Sequence, residues 1–306
     1  MTNDSPFDAF LQHLYDQDRS PATIRAYASD LRAFRQWFEA ANGEALLVER
    51  VTAVDMRAYR QHLESEGKTA ATINRRLAAI RAWLRWAQRQ GVIEWVPEAR
   101  GVRRQVLAPR WLSKREEAAL LRAAERARQR SAGDMVAHFL AVRDWAIVTL
   151  LLHTGLRVAE LAALRLEDVT LRPRSGWLLV RGKGRKERQV PLNRIARRAL
   201  REWLDVRNRQ LPSRESNPYL FIGQKWVRRQ PLAPSTIRRI LHRLAREAGV
   251  EASPHALRHT MAKRLVDAGV TLEKLAAILG HESLDTTRRY IEPGQDDLQA
   301  AVETLE

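Results

Sequence analysis

The chain has no cysteine. That absence excludes disulfide staples, thiolate metal sites and cysteine nucleophiles, and it agrees with a cytosolic location. Long apolar runs are missing as well. The longest, around Ala146–Leu152, falls far short of the roughly 20 residues that a bilayer-crossing helix needs. The N-terminus, MTNDSPFDAF, lacks the basic start and apolar stretch of a secretory signal, so no membrane partner is expected. Acidic residues are scarce relative to basic ones: 36 Asp and Glu stand against 53 Lys and Arg, a formal charge of +17. A globular chain this basic meets a polyanion, and nucleic acid is the commonest.

What is present divides in two. At 306 residues with 45% hydrophobic content, the chain is long enough for two domains with real cores. Residues 1–100 are nearly neutral, with 14 Lys and Arg against 13 Asp and Glu, while the remainder holds 39 against 23. Phosphate contacts are therefore expected mainly in the second part. The first part reads as helical throughout. Ser20-Pro21 is a cap followed by a proline suited to a first helical turn. Ile24, Tyr27, Leu31, Phe34 and Phe38 then recur at helical spacing. Thr52 caps a helix bearing Met56, Tyr59 and Leu63. Thr69 or Thr72 opens another, bearing Ile73, Leu77, Ile80 and Leu84, with Arg75, Arg76 and Arg81 among its basic residues. Pro97, Gly101 and Pro109 mark 97–111 as a linker, and Ser113 with Glu116 forms a capping box that opens the second domain. There, Trp177–Val180 and Arg188–Leu192 read as a β-hairpin around the basic, glycine-rich turn of Arg181, Gly182, Lys183, Gly184, Arg185 and Lys186.

Four segments bring cations, imidazoles or a phenol to helix ends and turns. In His153-Thr-Gly-Leu-Arg157, the arginine falls in a first helical turn, where a cation opposes the helix dipole and a bound anion would explain it. Glu160 is read as the structural partner that orients Arg157. Lys183 sits at the hairpin tip, with Lys186 a competing choice. Ser253-Pro254 caps a helix start that presents His255 and Arg258 three residues apart on one face, with His259 read as a packing residue. Finally, His281 lies in the turn after Gly280, and Tyr290 ends a short helix. Each piece alone has an ordinary structural reading: a local ion pair, a basic turn, a packing tyrosine.

Together the segments resemble the tyrosine recombinase, or phage integrase, family, above all its compact Xer-like members. The family order of Arg, Lys, His-x-x-Arg, His or Trp, and Tyr falls on Arg157, Lys183, His255 with Arg258, His281 and Tyr290. The N-terminal part is also similar, in Ser20-x-x-Thr23, Tyr27, Asp30-Leu31 and Phe34, and in Thr72-Ile-Asn-Arg-Arg-Leu77. The resemblance implies a mainly α fold with a small β-hairpin or sheet. A helical SAM-like core-binding domain would occupy residues 1–96, a linker 97–111 and a catalytic domain 112–292, the two domains closing on duplex DNA as a clamp. A tail over 293–306, with an apolar stripe and several acids, would dock on a neighbouring subunit.

It further implies that Tyr290 attacks a phosphodiester to give a 3′-phosphotyrosyl bond and a free 5′-hydroxyl, with Arg157 and Arg258 neutralising the phosphate. His281 would donate a further hydrogen bond, Lys183 would protonate the leaving oxygen and His255 would take the phenolic proton. No metal, ATP or other cofactor is expected. The partner is double-stranded DNA at a recombination site, bound by a tetrameric synapse of identical or paralogous subunits. Arg75, Arg76, Arg81, Arg181, Arg185 and Lys186 are further DNA-contact candidates. Segments 126–142 and 172–176 are longer than usual for Xer proteins, and the usual Xer tail after the tyrosine is missing. A role for a phage, plasmid or transposon therefore stands beside chromosome-dimer resolution. A type IB topoisomerase, or a DNA-binding relative without catalysis, is the alternative.

Overall fold

Capping chemistry sets the helices of the N-terminal unit. Helix α1 spans Asp8–Asp16 and α2 spans Pro21–Asn42. The Ser20 side chain accepts from the Thr23 amide, and Gly43, at φ 72°, ends α2. Thr52 and Asp55 cap α3 (Ala53–Ser65) reciprocally, and Thr69 rather than Thr72 caps α4 (Ala70–Arg89). The faces expected from spacing are the buried ones: Leu31, Phe34 and Phe38 of α2 meet Met56, Tyr59 and Leu63 of α3 and the Ile73–Leu84 face of α4. The same core reaches into the stretch read as linker, because Ala99 is buried in it. Asn74 clasps the Val102 backbone through both its amide oxygen and its nitrogen, each at 2.8 Å.

This computed structural model describes residues 7–103, 110–131, 133–182, 186–210, 217–223, 230–281, 283–288, 290 and 302–303. The chain divides into two units, Met1–Leu107 and Ala108–Glu306. The second is built around α6 (Met135–Thr154), which is buried on all sides from Val142 to Thr154. By length and composition α6 could cross a membrane, but two-thirds of its most apolar window is buried inside the protein, as befits a core helix. Around it pack α5 (Lys114–Arg130), opened by the Ser113–Glu116 capping box, α8 (Arg194–Gln210), α9 (Pro234–Ala248) and α10 (Pro254–Asp267). Three shorter helices complete the described residues: α7 (Val158–Ala163), α11 (Leu272–Leu279) and α12 (Asp285–Arg288).

The hairpin is present as β2 (Gly176–Arg181) and β3 (Glu187–Pro191), paired antiparallel with Leu178 opposite Val190. A third strand, β1 (Val169–Leu171), extends it to a sheet in the order β1-β2-β3. Leu178, Val180 and Val190 alternate inward to the core, so the sheet's inner face is fixed by the period-two pattern. The fold is thus mainly helical with one small sheet, as the sequence implied.

One core group makes folding sensitive to acid. Asn193 accepts from the Ala196 amide through its side-chain oxygen, so its nitrogen donates to His153 Nδ1 at 2.9 Å, a bond that requires Nδ1 to be unprotonated. Burial, with the charge of Arg264 adding to it, pushes His153 down from 6.5 to about 4. The unfolded chain binds this proton first, so stability is full above pH 6.5 and falls as the pH drops towards 4. The loss should approach about 3 kcal/mol. Urea unfolding at several pH values checks this, and His153→Asn should flatten the slope between pH 6.5 and 5.

Candidate active site

Two left-handed glycines bring the site's elements close together. Gly155, at φ 62°, ends α6, and a Cβ there would sit 2.9 Å from Leu279 Cδ2 and 3.2 Å from Met261 Sδ. Gly280, at φ 66°, ends α11, and a Cβ there would strike the Arg188 guanidinium. Only glycine allows both the turn and the approach.

Glu160 is the anchor of the cationic cluster. Arg157 caps α7 rather than lying within it. Its amide donates to Glu160 Oε2 at 2.8 Å and its Nη1 donates to Oε1 at 2.9 Å. From the facing strand, Arg188 grips the same carboxylate with two bonds of 3.0 and 2.9 Å, while its Nε donates to the Ile278 carbonyl. Burial would raise the Glu160 carboxyl, but the bonds and charges of Arg188 and Arg157 outweigh it and hold the group below the ordinary range. Glu160→Gln would leave the mostly buried Arg188 without its counter-charge. We expect a stability loss of about 3 kcal/mol, read as a shifted denaturant midpoint with an unchanged slope.

Arg258, 5% exposed, is the inner cation. It donates to the Gly155 carbonyl at 2.6 Å and to the Leu279 carbonyl at 2.8 Å, and its Nη2 lies 3.0 Å from His281 Nε2. Burial and then the neighbouring charge of Arg157 push it down to about 10, with Arg188 adding to the effect and Glu160 opposing it. It is still a cation at neutral pH. One carboxylate therefore serves three guanidinium groups, and half-exposed Arg157 presents the surplus positive charge outward. Such an arrangement attracts an anion.

Arginine only donates, so His281 Nε2 accepts from Arg258, and the opposite nitrogen, Nδ1, lies 2.8 Å from the Thr287 hydroxyl. The His281 ring stacks on Tyr290 at 6.3 Å and 8°. Tyr290 is 3% exposed and packs on Met261, Ala262, Leu275 and Leu279. Its hydroxyl lies 3.0 Å from His259 Nδ1. This corrects the reading of His259 as a packing residue. The helical spacing carried the signal, since residues 255, 258 and 259 share one face of α10.

The structure thus joins Arg258, His281 and Tyr290 in one chain of contacts, and Arg157 is close enough for its charge to act on Arg258. His255 is exposed one turn from His259, their rings 6.5 Å apart, and both line a groove of about 800 Å³. Lys183 and Arg185 lie outside the described residues, as does most of the tail. Lys186 is exposed. Several proposed DNA contacts are already engaged: Arg75 and Arg76 pair with buried Asp30, and Arg181 with Asp168, Glu187 and Glu167. Arg81 Nε donates to the Leu77 carbonyl of its own helix. Sequence reasoning missed Arg188, because its strand position carries no mark of a partner 28 residues away.

Comparison with known proteins covers the segments that hold these residues. The phage integrase family pattern matches residues 110–296, and the phage integrase N-terminal SAM-like domain matches 7–91. Tyrosine recombinase XerC of Corynebacterium glutamicum is 36% identical over 293 residues, covering 92% of this chain and 85% of the relative. Tyrosine recombinase XerC of Alcanivorax borkumensis is 35% identical, with 92% and 87% covered. Among solved structures, XerH site-specific recombinase bound to palindromic difH substrate in a post-cleavage complex aligns with a TM-score of 0.73. It is 23% identical, with 94% of this chain and 80% of the XerH chain covered.

Proposed function

This chain belongs to the phage integrase family and is a tyrosine recombinase similar to XerC, an enzyme that cleaves and rejoins DNA, and from that premise we propose that Tyr290 is its nucleophile. The observation that carries the reading is the run of contacts from Arg258 through His281 to the Tyr290 ring, with the charge of Arg157 acting on Arg258 beside it.

The substrate is duplex DNA at a specific site. The phenol attacks the scissile phosphorus and the 5′-oxygen leaves, giving a 3′-phosphotyrosyl bond. Charge grows on the non-bridging oxygens in the transition state, and the forked donors of Arg157 and Arg258 meet it. His281 adds a donor once phosphate draws Arg258 off its Nε2 and the ring hydrogen moves to that nitrogen, with Nδ1 then accepting from the Thr287 hydroxyl. Lys183 protonates the leaving oxygen, and a histidine of α10 takes the phenolic proton. The phosphotyrosyl ester keeps the energy of the broken bond, so a 5′-hydroxyl from a second duplex reverses the step without ATP. The guanidinium groups do the charge-neutralising work for which other phosphoryl-transfer enzymes hold metal ions. The enzyme acts in the cytosol, and four subunits, identical or paralogous, hold two duplexes.

Incubation with DNA carrying its cognate sites tests this. Exchange of flanking sequences, in complexes whose mass fits four subunits on two duplexes, is expected. Relaxation of supercoils without exchange would favour a type IB topoisomerase instead, and complexes limited to two subunits would overturn the tetramer.

A further inference from the structure

The Tyr290 hydroxyl faces a base that the family order of residues does not name. His259 Nδ1 lies 3.0 Å from it, with ring centroids 5.3 Å apart. His281 flanks the phenol but is tied through its two nitrogens to Arg258 and Thr287. His255 is exposed and stands one helical turn before His259.

We propose that His259, rather than His255, is the catalytic residue that takes the phenolic proton when Tyr290 attacks. The inference rests on Tyr290 being the nucleophile. As the Oη–phosphorus bond forms, the proton passes from Oη to Nδ1, giving an imidazolium, and the phosphorus–O5′ bond breaks. The departing 5′-oxygen takes its own proton from a general acid, which is Lys183 in the reading above. On rejoining, the deprotonated general acid takes the proton of the incoming 5′-hydroxyl as its oxygen displaces the phenolate, and His259 returns the proton to Oη.

The surroundings suit this use. His259 is half-buried against Tyr290 yet also borders the open groove, so its ring exchanges protons with solvent between turnovers. The titratable and charged groups about it are His255 and Arg258 on its own helix, Tyr290 and His281 on the facing segment, and Arg110, His242, Arg246 and Glu251 along the groove. A neutral imidazole with its hydrogen on Nε2 leaves Nδ1 as the acceptor for the phenol, which is the tautomer an attacking tyrosine requires.

The test uses duplex DNA with a sulfur in place of the bridging 5′-oxygen at the scissile phosphate. The thiolate leaves without a proton, so only the tyrosine's side still needs proton transfer. His259→Asn keeps an acceptor near the position of Nδ1 but cannot hold a proton at neutral pH. Its adduct formation should be about 100-fold slower on both normal and sulfur-bridged DNA. DNA binding and melting temperature should be unchanged. Its rate should keep climbing with pH as hydroxide takes over removal of the phenolic proton, a response that a merely structural role would not produce. His259→Ala should recover rate when free imidazole is added.

A wild-type rate in His259→Asn, recovery on sulfur-bridged DNA, or a transfer of the whole defect to His255→Asn would overturn the proposal. So would failure of imidazole to restore a DNA-binding His259→Ala. If Tyr290→Phe still forms the adduct, the underlying reading fails. If Tyr290→Phe is inert while His259→Asn is fully active, this inference alone fails.

Discussion

Tyr290→Phe is expected to bind its DNA site as the unchanged protein does and to form no covalent adduct. The substitution removes one oxygen. The ring keeps its packing against Met261, Ala262, Leu275 and Leu279 and its stacking on His281. The hydrogen bond to His259, worth about 1 kcal/mol, is lost, so the melting temperature should fall by a few degrees. Affinity comes from basic surfaces that do not include this phenol. Gel-shift titration beside denaturing electrophoresis of nicked, self-trapping DNA separates the two effects. An adduct that persists would move the nucleophile elsewhere. Tyr219, whose ring lies under the Arg165 guanidinium and whose backbone bridges to Arg165, is the next tyrosine to examine.

Arg258→Lys should cost both rate and stability, and the two losses should separate. A lysine ammonium is a point donor on a flexible stem, whereas the guanidinium reaches the Gly155 carbonyl, the Leu279 carbonyl and His281 at once. A carbonyl left unpaired inside the protein costs about 1–3 kcal/mol, so the denaturant midpoint should drop clearly. If Arg258 holds the scissile phosphate as proposed, adduct formation should slow by a further 100- to 1,000-fold or so at temperatures where the variant is fully folded. Rate measured at saturating DNA, beside unfolding curves, checks both. A variant destabilised but cleaving at the normal rate would mean that Arg258 only ties α10 to the glycine turns.

Much of this arrangement was legible in the sequence because it rests on local rules. The caps at Ser20, Thr52 and Ser113 and the buried faces of α2 to α4 follow from spacing and side-chain chemistry over a few residues. The pairing of Glu160 with Arg157 is likewise three residues long. What escaped was set by tertiary contact. The bond from Arg188 to Glu160 joins a strand to a helix, and nothing in either segment announces the other. Strand β1 is only three residues long, too short for its alternation to register. His259 is the instructive contact. Its helical position beside His255 and Arg258 was visible, but the tyrosine that faces it arrives from 31 residues away. The family order of residues draws attention to His255, one helical turn earlier.

The charge pattern told a similar story at larger scale. An excess of bases in the second unit pointed to a polyanion, yet individual arginines proved harder to place. Arg75, Arg76 and Arg181 each have carboxylate partners, and those partners weaken the field they offer to phosphate. Arg157 differs from Arg181, which meets three carboxylates, because its single carboxylate is shared with Arg188 and also acts on the charge of Arg258. Net charge therefore indicates the class of partner, while the balance of guanidinium groups to carboxylates indicates where positive charge is in local excess.

The most direct measurement is to trap the unchanged enzyme on nicked DNA, digest the adduct with protease and nuclease, and identify the nucleotide-bearing peptide by mass spectrometry. The account predicts a 3′-linked nucleotide on the phenol oxygen of Tyr290. A nucleotide on any other side chain, or one linked through its 5′-phosphate, would contradict it.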